Sequence, residues 1–297
     1  MRVLITGGTG FIGRQLVKAL LARGDRVAVL SRRPESAQLD ARVELYSELA
    51  QIQGHIDAVV NLAGAPIADR RWSDKRKRLL LESRVQLTSQ LVDWIGRAVQ
   101  PPAVLVSGSA IGYYGSQGDR ELDEEGATKG GFAHDLCASW EEQAYKASDH
   151  GVRVCCIRTG MVLGPGGGAL AKMLPPFKLG LGGPIGTGRQ WISWIHRDDE
   201  VAAILHLLDH ETLTGAFNLT SPHPVTNEEF SRLLAKVLHR PAFFRVPAVV
   251  LELMMGEASE LVLKGQRVVP KRLLESGFRF KYTGLEAALT QVLKASG

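Results

Sequence analysis

Cysteine is scarce in this sequence, and metal-ligand patterns are lacking. The chain has three cysteines in 297 residues, Cys137, Cys155 and Cys156. None of them has zinc-ligand spacing, and adjacent cysteines rarely form a disulfide with each other. We therefore expect reduced thiols and no metal site.

Long apolar runs and targeting signals are missing as well. A membrane-spanning helix needs roughly 18 or more consecutive apolar residues, and no such run is present. Met1 and Arg2 lead directly into a predicted strand and not into a signal peptide. These features lead us to expect a cytoplasmic protein.

Neither sign of charge dominates the chain. The net charge is +5, and the basic residues are spread along the sequence apart from Lys75-Arg76-Lys77-Arg78. A nucleic-acid site would have more Lys and Arg with aromatic residues among them, so we interpret this run as the solvated start of a helix. The expected partner is a small molecule, with no role for nucleic acid or a membrane.

Short apolar runs alternate with helical patterns in the first half of the chain. The predicted strands are 2–6, 26–30, 56–62, 103–107 and 153–157, and the predicted helices are 11–23, 73–99 and 134–150. Alternation of this kind, with strands apolar on both sides, is typical of a parallel sheet that is covered on both faces. The predicted fold class is α/β, a Rossmann-type doubly wound sheet.

The composition changes in residues 164–188, which hold nine glycines and four prolines in 25 positions. This segment is either a connecting loop or, as its length favours, a pocket wall or lid with a short helix near 169–174. Beyond it, the patterns predict a strand at 216–220 and helices at 199–210, 227–239, 248–255 and 285–293. These elements predict a smaller C-terminal α/β lobe.

A glycine-rich turn follows the first predicted strand and opens the first predicted helix. Its glycines satisfy the pattern G-x-G-x-x-G. In that context, glycine permits a tight turn and lets the backbone approach a pyrophosphate, which the N-terminus of the helix then binds. The sequence therefore predicts a dinucleotide site that includes Gly7, Gly10, Phe11, Ile12 and Gly13.

The end of the second predicted strand indicates which dinucleotide is bound. A site for NAD would have an acidic residue about 20 positions past the glycines. This chain instead reads Ser31-Arg32-Arg33, and guanidinium groups match a phosphate. We predict NADP, with Ser31, Arg32 and Arg33 at its 2′-phosphate. The alternative is that both arginines are exposed loop residues.

Two further segments belong to the predicted cofactor site. Leu62, Ala63 and Gly64 lie at the end of a predicted strand, and the small residues there let the chain pass close to the adenosine ribose. Arg84 lies on the same helical stripe as Leu80 and other apolar residues, and a buried arginine needs an anionic partner. The cofactor pyrophosphate and a structural carboxylate are both open as that partner.

Three motifs in this order resemble the extended short-chain dehydrogenase/reductases: TGGTGFIG at 6–13, NLAG at 61–64 and SGSAIGYYG at 107–115. More narrowly, the stretches at 66–72, 173–186, 188–190, 194–196 and 265–267 resemble the YfcH-type epimerase family branch. The resemblance implies nicotinamide contacts at Gly160, Met161 and Val162. It also implies a nucleotide-sugar or related carbonyl or alcohol substrate, and it suggests a homodimer.

The resemblance also implies a division of the chain into two parts. We expect residues 1–165 to form the NADP-binding domain, with residues 190–215 returning to it. Residues 166–189 and 216–297 would then form the substrate lobe.

The usual catalytic residues of that family are replaced here. In the family, a serine or threonine polarises the substrate oxygen and a Tyr-x-x-x-Lys pair transfers the proton. Ser109 matches the serine, but Cys137 and Glu141 stand where the tyrosine and the lysine are expected. Cys137 and Glu141 share a helix face, and a glutamate raises the pKa of a nearby thiol. The two residues are either catalytic or a packing residue and a surface charge.

Other proton donors are available near Ser109. Tyr113 and Tyr114 follow it at the end of a predicted strand, where open α/β sheets bind ligands. Either tyrosine could face the substrate or pack in the core. His196 is expected to be structural. Two functions stay open: an NADP-dependent oxidoreductase or epimerase, and a non-catalytic NADP(H) sensor.

Overall fold

A computed structural model describes residues 1–295 of the chain. Its strands are β1 (Arg2–Thr6), β2 (Arg26–Leu30), β3 (Glu44–Tyr46), β4 (Ala58–Asn61), β5 (Val104–Ala110), β6 (Glu121–Leu122), β7 (Arg153–Thr159), β8 (Met161–Leu163), β9 (Trp191–Ile192), β10 (Trp194–His196), β11 (Gly215–Leu219), β12 (Val225–Thr226) and β13 (Arg267–Val268). Its helices are α1 (Gly13–Ala22), α2 (Asp74–Leu81), α3 (Leu87–Gly96), α4 (Phe132–Tyr145), α5 (Gly168–Lys178), α6 (Arg197–Asp209), α7 (Asn227–Leu238), α8 (Ala248–Met255), α9 (Glu260–Leu263), α10 (Lys271–Glu275) and α11 (Leu285–Lys294).

Seven of the strands form one parallel sheet in the order β11-β7-β5-β4-β1-β2-β3. The chain builds the sheet outward from β1 in one direction and then returns to add β4 on the other side. This reversal makes the carboxyl ends of β1 and β4 the place where a doubly wound sheet binds its ligand. The predicted α/β fold is confirmed.

Helices cover both faces of this sheet. Alternate residues of β5 enter different apolar clusters: Val104 and Val106 pack with α1 and α6, whereas Leu105 packs with α3 and α4. Burial on both faces explains why β1 and β4 are apolar over nearly their whole length.

The long helix predicted at 73–99 is divided. Ser73 caps α2 as expected, since its Oγ accepts a hydrogen bond from the backbone N–H of Arg76 at 3.3 Å. A π-helical turn at Glu82–Gln86 then separates α2 from α3. The side chains of Ser83 and Arg84 in this turn both bond to the backbone of Ala65, which joins the turn to the segment after β4.

Strand β11 corrects the predicted lobe boundary. Residues from 216 onward were expected in the C-terminal lobe, but β11 pairs with β7 as the edge strand of the central sheet. The boundary is therefore misplaced for 216–219, because Phe217 and Leu219 fill the sheet core. A separate apolar cluster joins α5, α7 and α11, and the remaining division into two parts stays a prediction.

Some features of the described chain bear on the expected partners. Within residues 1–295, no helix is long and apolar enough to cross a membrane. The same residues contain no group of three or more His, Cys, Asp or Glu side chains that could hold a metal ion. The three cysteines are free thiols, and all of them are buried.

Candidate functional site

The glycine turn after β1 is compact because side chains would collide inside it. Gly7 has φ +74°, and a Cβ there would lie 2.8 Å from the backbone of Leu62. A Cβ on Gly13 would collide with the carbonyl oxygen of Gly7. The N–H of Gly10 donates to that same oxygen at 2.9 Å. Glycine at these positions lets the turn, the helix start and the end of β4 meet closely.

Helix α1 begins directly after this turn without a capping side chain. Ile12 is its N-cap residue, and its first turn contains no acidic residue. The first N–H groups of a helix have no partner inside the helix, and its dipole places partial positive charge there. Together with Gly10 and Phe11, this end of α1 has the chemistry that binds a pyrophosphate.

A buried polar network fixes the ends of β1 and β4 beneath the turn. Thr6 Oγ1 donates to Asn61 Oδ1 at 2.6 Å, and Asn61 Nδ2 donates to Thr88 Oγ1 at 2.8 Å. The N–H of Ala63 donates to Thr6 Oγ1 at 3.2 Å. Thr6 and Thr88 were not predicted from the sequence. For Thr6, a polar residue at the end of an apolar strand was the available signal, because buried polar groups need partners.

The segment after β2 presents two arginines to solvent. Arg32 and Arg33 are exposed, and neither forms an ion pair with any described residue. Ser31 is partly buried, and its Oγ accepts a hydrogen bond from the N–H of Arg33 at 3.3 Å. Both guanidinium groups are therefore available to a phosphate.

Arg84 is a partly buried cation that has no carboxylate partner within residues 1–295. Its Nη2 donates to the carbonyl oxygen of Ala65 at 2.9 Å, and its guanidinium lies 5.3 Å from the ring centre of Trp140. Burial lowers the pKa of Arg84. A Cβ on Gly64 would come within 2.8 Å of the guanidinium carbon. No carboxylate of the described residues pairs with Arg84, and the cofactor pyrophosphate as its partner stays a prediction.

Ser109, Cys137 and Glu141 come together behind the carboxyl end of β5. The hydroxyl of Ser109 donates to Glu141 Oε1 at 2.6 Å. Burial raises the pKa of Cys137 to about 11, and the charge of Glu141 raises it further. Cys137 is therefore a neutral thiol near pH 7, and Glu141 acts on its pKa in the expected direction.

Arg158 in β7 is the residue that sequence reasoning missed. Its Nε and Nη2 donate to the two carboxylate oxygens of Glu141 at 2.8 and 2.9 Å. Burial would lower the pKa of Arg158, but the Glu141 carboxylate raises it overall. Glu141 is 4% exposed and Arg158 5%, so the pair is desolvated. Glu141 is thus a buried ion-pair partner and not a surface charge.

Tyr114 extends this network away from Ser109. Its hydroxyl accepts a hydrogen bond from Arg158 Nη1 at 3.0 Å and donates to Asn218 Oδ1 at 2.6 Å. Burial raises the pKa of Tyr114 to about 12. Ser109, Arg158 and Asn218 occupy paired positions on β5, β7 and β11. The hydroxyl of Tyr114 is therefore used inside the protein.

Tyr113 differs from its neighbour in having a free hydroxyl. The side chain is partly buried, and its ring centre lies 3.5 Å from the Arg158 guanidinium and 5.5 Å from the ring of His134. No described residue forms a hydrogen bond with its phenol oxygen. Of the two tyrosines, only Tyr113 has a hydroxyl that could serve a ligand.

The predicted nicotinamide contacts follow β7 directly. The N–H of Gly160 donates to Leu219 O at 3.1 Å, and the N–H of Met161 donates to Ser193 O at 2.8 Å. A Cβ on Gly160 would collide with Ser193 O. Met161 and Val162 lie in β8, which starts beyond the carboxyl end of the sheet. The geometry places this segment beside the strand that carries Ser109.

His196 has all its polar atoms engaged. Its Nε2 lies 2.8 Å from Gln291 Oε1, and its Nδ1 accepts a hydrogen bond from the N–H of Asp198 at 3.1 Å as the cap of α6. Its ring stacks on Tyr282 with 3.9 Å between the ring centres. This geometry agrees with the structural role expected for His196.

Two family models match the chain. The model described as the NAD dependent epimerase/dehydratase family matches residues 3–220. A second model, described as a domain of unknown function, matches residues 246–292. The first match includes the glycine turn, Ser109 and Arg158, whereas the second lies in the predicted C-terminal lobe.

Similar proteins match the chain over nearly its full length. The chloroplastic epimerase family protein SDR39U1 homolog of Arabidopsis thaliana is 41% identical, covering 99% of this chain and 87% of that protein. The epimerase family protein YfhF of Bacillus subtilis is 38% identical, covering 99% and 98%. The crystal structure of human epimerase family protein SDR39U1 with NADPH has a TM-score of 0.91 and 36% identity, covering 99% of each chain. The narrower YfcH-type assignment stays a prediction.

Proposed function

The chain belongs to the NAD-dependent epimerase/dehydratase family, and from this premise we propose that it is an NADP(H)-dependent oxidoreductase or epimerase. Its substrate would be a carbonyl compound or a sugar-type alcohol. Ser109 would face the reacting oxygen in place of the missing Tyr-x-x-x-Lys arrangement.

One observation carries the choice of cofactor: Arg32 and Arg33 after β2, and Arg84 beside the segment after β4, have no carboxylate partner among the described residues. Arg32 and Arg33 would hold the 2′-phosphate, and Arg84 would face another anionic part of the cofactor. Gly10 to Gly13 would receive the pyrophosphate. The NADPH in the crystal structure of the human relative supports the same choice.

Calorimetric titration of the protein with NADPH and NADH tests this assignment. Replacing Arg32 with Asp and Arg33 with Ser removes both guanidinium groups and adds a carboxylate. We expect NADPH affinity to fall by about tenfold or more per lost charged contact, while NADH affinity changes little. Exposed Arg42, which pairs with Asp40 at 2.9 Å, provides the control Arg42→Ser. Equal affinity of the native protein for NADPH and NADH would contradict the proposal.

The cofactor supplies or accepts the hydride, and the protein then has to move one proton. The Ser109 hydroxyl already donates its hydrogen to Glu141, so its lone pairs are left to accept the hydrogen of a substrate hydroxyl. In the oxidation direction, Ser109 Oγ would take that proton while its own proton passes to Glu141 Oε1. Arg158 orients Glu141, and Cys137 would stay neutral as a wall of the site.

A substrate screen that follows NADPH oxidation, or NADP⁺ reduction, tests these roles. Ser109→Ala removes the group that meets the substrate oxygen and should lower kcat by about 100-fold or more. Ser116→Ala, in the loop after Tyr114, is the matched control. Full activity in Ser109→Ala would remove Ser109 from the mechanism.

A second function, a non-catalytic NADP(H) sensor, is favoured by one feature. Glu141, Arg158 and Tyr114 satisfy one another inside the protein and leave few convergent polar groups for a substrate. A sensor would bind NADPH and yet turn over no compound in a screen of nucleotide sugars and small carbonyl compounds. Turnover that depends on Ser109 would decide in favour of the enzyme.

A further inference from the structure

Glu200 in the first turn of α6 is a buried carboxyl group that the proposed reaction does not use. The residue is 0% exposed, and its Oε1 accepts a hydrogen bond from Thr159 Oγ1 at 2.8 Å. Its Oε2 is buried and has no hydrogen-bond partner in the described part of the chain. A buried carboxyl with one unpartnered oxygen is costly, so its presence needs a physical reason.

No charged group of the described chain compensates Glu200. Helix α6 packs chiefly against α1, β5, β8 and β10, of which β5 and β8 have no charged side chain. In β7, which contacts Glu200 through Thr159, the neighbouring Arg158 is paired with Glu141. Arg14 of α1 bonds to Thr9 O and Gln38 O, Lys18 is exposed, and His196 of β10 bonds to Gln291. Burial raises the pKa of Glu200 to about 8, which the Thr159 hydrogen bond opposes.

The position of Glu200 relates it to the predicted nicotinamide contacts. Thr159 is the last residue of β7, and Gly160, Met161 and Val162 follow it directly. Val162 packs on the same apolar cluster as Ile12 of the glycine turn and Ile204 of α6. The carboxyl therefore lies one hydrogen bond from the strand end at which these contacts begin.

The two forms of a nicotinamide cofactor differ in charge at the ring. The oxidised ring carries a positive charge, and the reduced ring is neutral. A carboxylate in a site of low dielectric attracts the first form and not the second, whereas a protonated carboxyl discriminates little between them.

From this juxtaposition we propose that Glu200 makes the preference of the site for oxidised over reduced cofactor depend on pH. The inference rests on the proposed binding of NADP(H). At neutral pH the protonated side chain leaves NADPH undisturbed, and loss of that proton favours NADP⁺. By linkage, NADP⁺ binding releases a proton from Glu200 and NADPH binding does not.

Calorimetric titration in two buffers of different ionisation enthalpy counts the protons released on binding. Near pH 7.5, the native protein should release more protons with NADP⁺ than with NADPH, and Glu200→Gln should release equal numbers with both. The 2′-phosphate is present in both NADP⁺ and NADPH, so the protons that it exchanges on binding cancel when the two proton counts are subtracted. If NADP⁺ lowers the pKa of Glu200 by about one unit, the ratio of NADP⁺ to NADPH affinity rises about tenfold between roughly pH 6 and pH 9.

Asp198→Asn removes a partly exposed acid from the same helix turn and is the matched control, which should behave like the native protein. Equal proton release with both cofactors in the native protein would overturn the inference, as would an unchanged difference in Glu200→Gln. Should Glu200→Gln fail to fold, the native measurement decides by itself, because equal proton release with NADP⁺ and NADPH overturns the inference and a larger release with NADP⁺ supports it. Binding of neither cofactor would instead overturn the proposed function, and this inference with it.

Discussion

The ion pair of Glu141 and Arg158 shows how strongly single residues are constrained in this site. Arg158→Met leaves the Glu141 carboxylate buried without its partner, which costs about 3–5 kcal/mol of unfolding free energy. Urea-induced unfolding followed by circular dichroism measures the change. The loss should shrink when Glu141→Gln is added, because the neutral amide needs no cation.

An exposed ion pair provides the comparison. Lys264 and Glu260 pair at 2.9 Å with both side chains about half exposed. Lys264→Met should change the free energy of unfolding by about 0.5 kcal/mol or less. Similar losses for Arg158→Met and Lys264→Met would show that burial does not strengthen the inner pair.

The three thiols should be inert in the folded protein. Burial raises the pKa values of Cys137 and Cys155 to about 11 and that of Cys156 further still. Because the thiolate is the reactive form, Ellman's reagent near pH 8 should label none of them until the chain unfolds. Val99→Cys adds a thiol at a fully exposed position and is the positive control. Rapid labelling of the native protein would contradict the burial.

At the scale of elements, the start of α1 restricts the residue type most clearly, because only glycine fits at position 13. Gly13→Ala places a methyl group against the carbonyl oxygen of Gly7 and forces the turn apart. NADPH affinity should fall by more than tenfold, as measured by calorimetry, because the N–H groups proposed to bind the pyrophosphate would move. Gly130→Ala, where an added Cβ meets nothing within 4 Å, should bind as the native protein does.

Local sequence patterns predicted the helices and turns of this chain better than the contacts between distant side chains. Helix α8 has the predicted bounds of 248–255, and the glycine turn lies where its spacing placed it, because both depend on neighbours in the sequence. The predicted strand at 153–157 stopped one residue short of Arg158. Its partner Glu141 lies 17 positions earlier on α4, and only the packed sheet brings the two together.

For the whole molecule, Glu200 should make stability fall as the pH rises. The unfolded chain loses this proton near the usual pKa of 4.5, whereas the folded chain keeps it until about pH 8. Between these pH values the folded state binds more protons than the unfolded state. The free energy of unfolding therefore decreases by up to about 1.4 kcal/mol per pH unit, and it becomes constant above about pH 8.

Thermal unfolding across this pH range tests that linkage. Glu200→Gln cannot ionise, so its melting temperature relative to that of the native protein should rise from about pH 5 to about pH 8 and stay constant above. Asp198→Asn should show no such trend. A difference that is independent of pH would contradict a raised pKa at Glu200.

The order of the strands in the sheet could be predicted from the sequence only in part. Alternation of strands and helices was enough to predict a doubly wound sheet, since each strand carries its own apolar pattern. The same alternation did not predict the position of β11. Its short sequence, GAFNL, is compatible both with a strand in a separate lobe and with an edge strand of the central sheet. Its pairing with β7 brings Asn218 to Tyr114, a contact between residues 104 positions apart.

The ion pair of Glu141 and Arg158 also limits how such a site can evolve. Conversion to a Tyr-x-x-x-Lys enzyme requires changes at Cys137 and Glu141, but a lysine at 141 would lie against the Arg158 guanidinium with no anion between them. Two desolvated cations side by side would destabilise every intermediate that keeps Arg158. The charge at position 158 must therefore be lost before a lysine appears at position 141. Evolution from this site to a Tyr-x-x-x-Lys site thus depends on a residue that lies outside the Tyr-x-x-x-Lys motif.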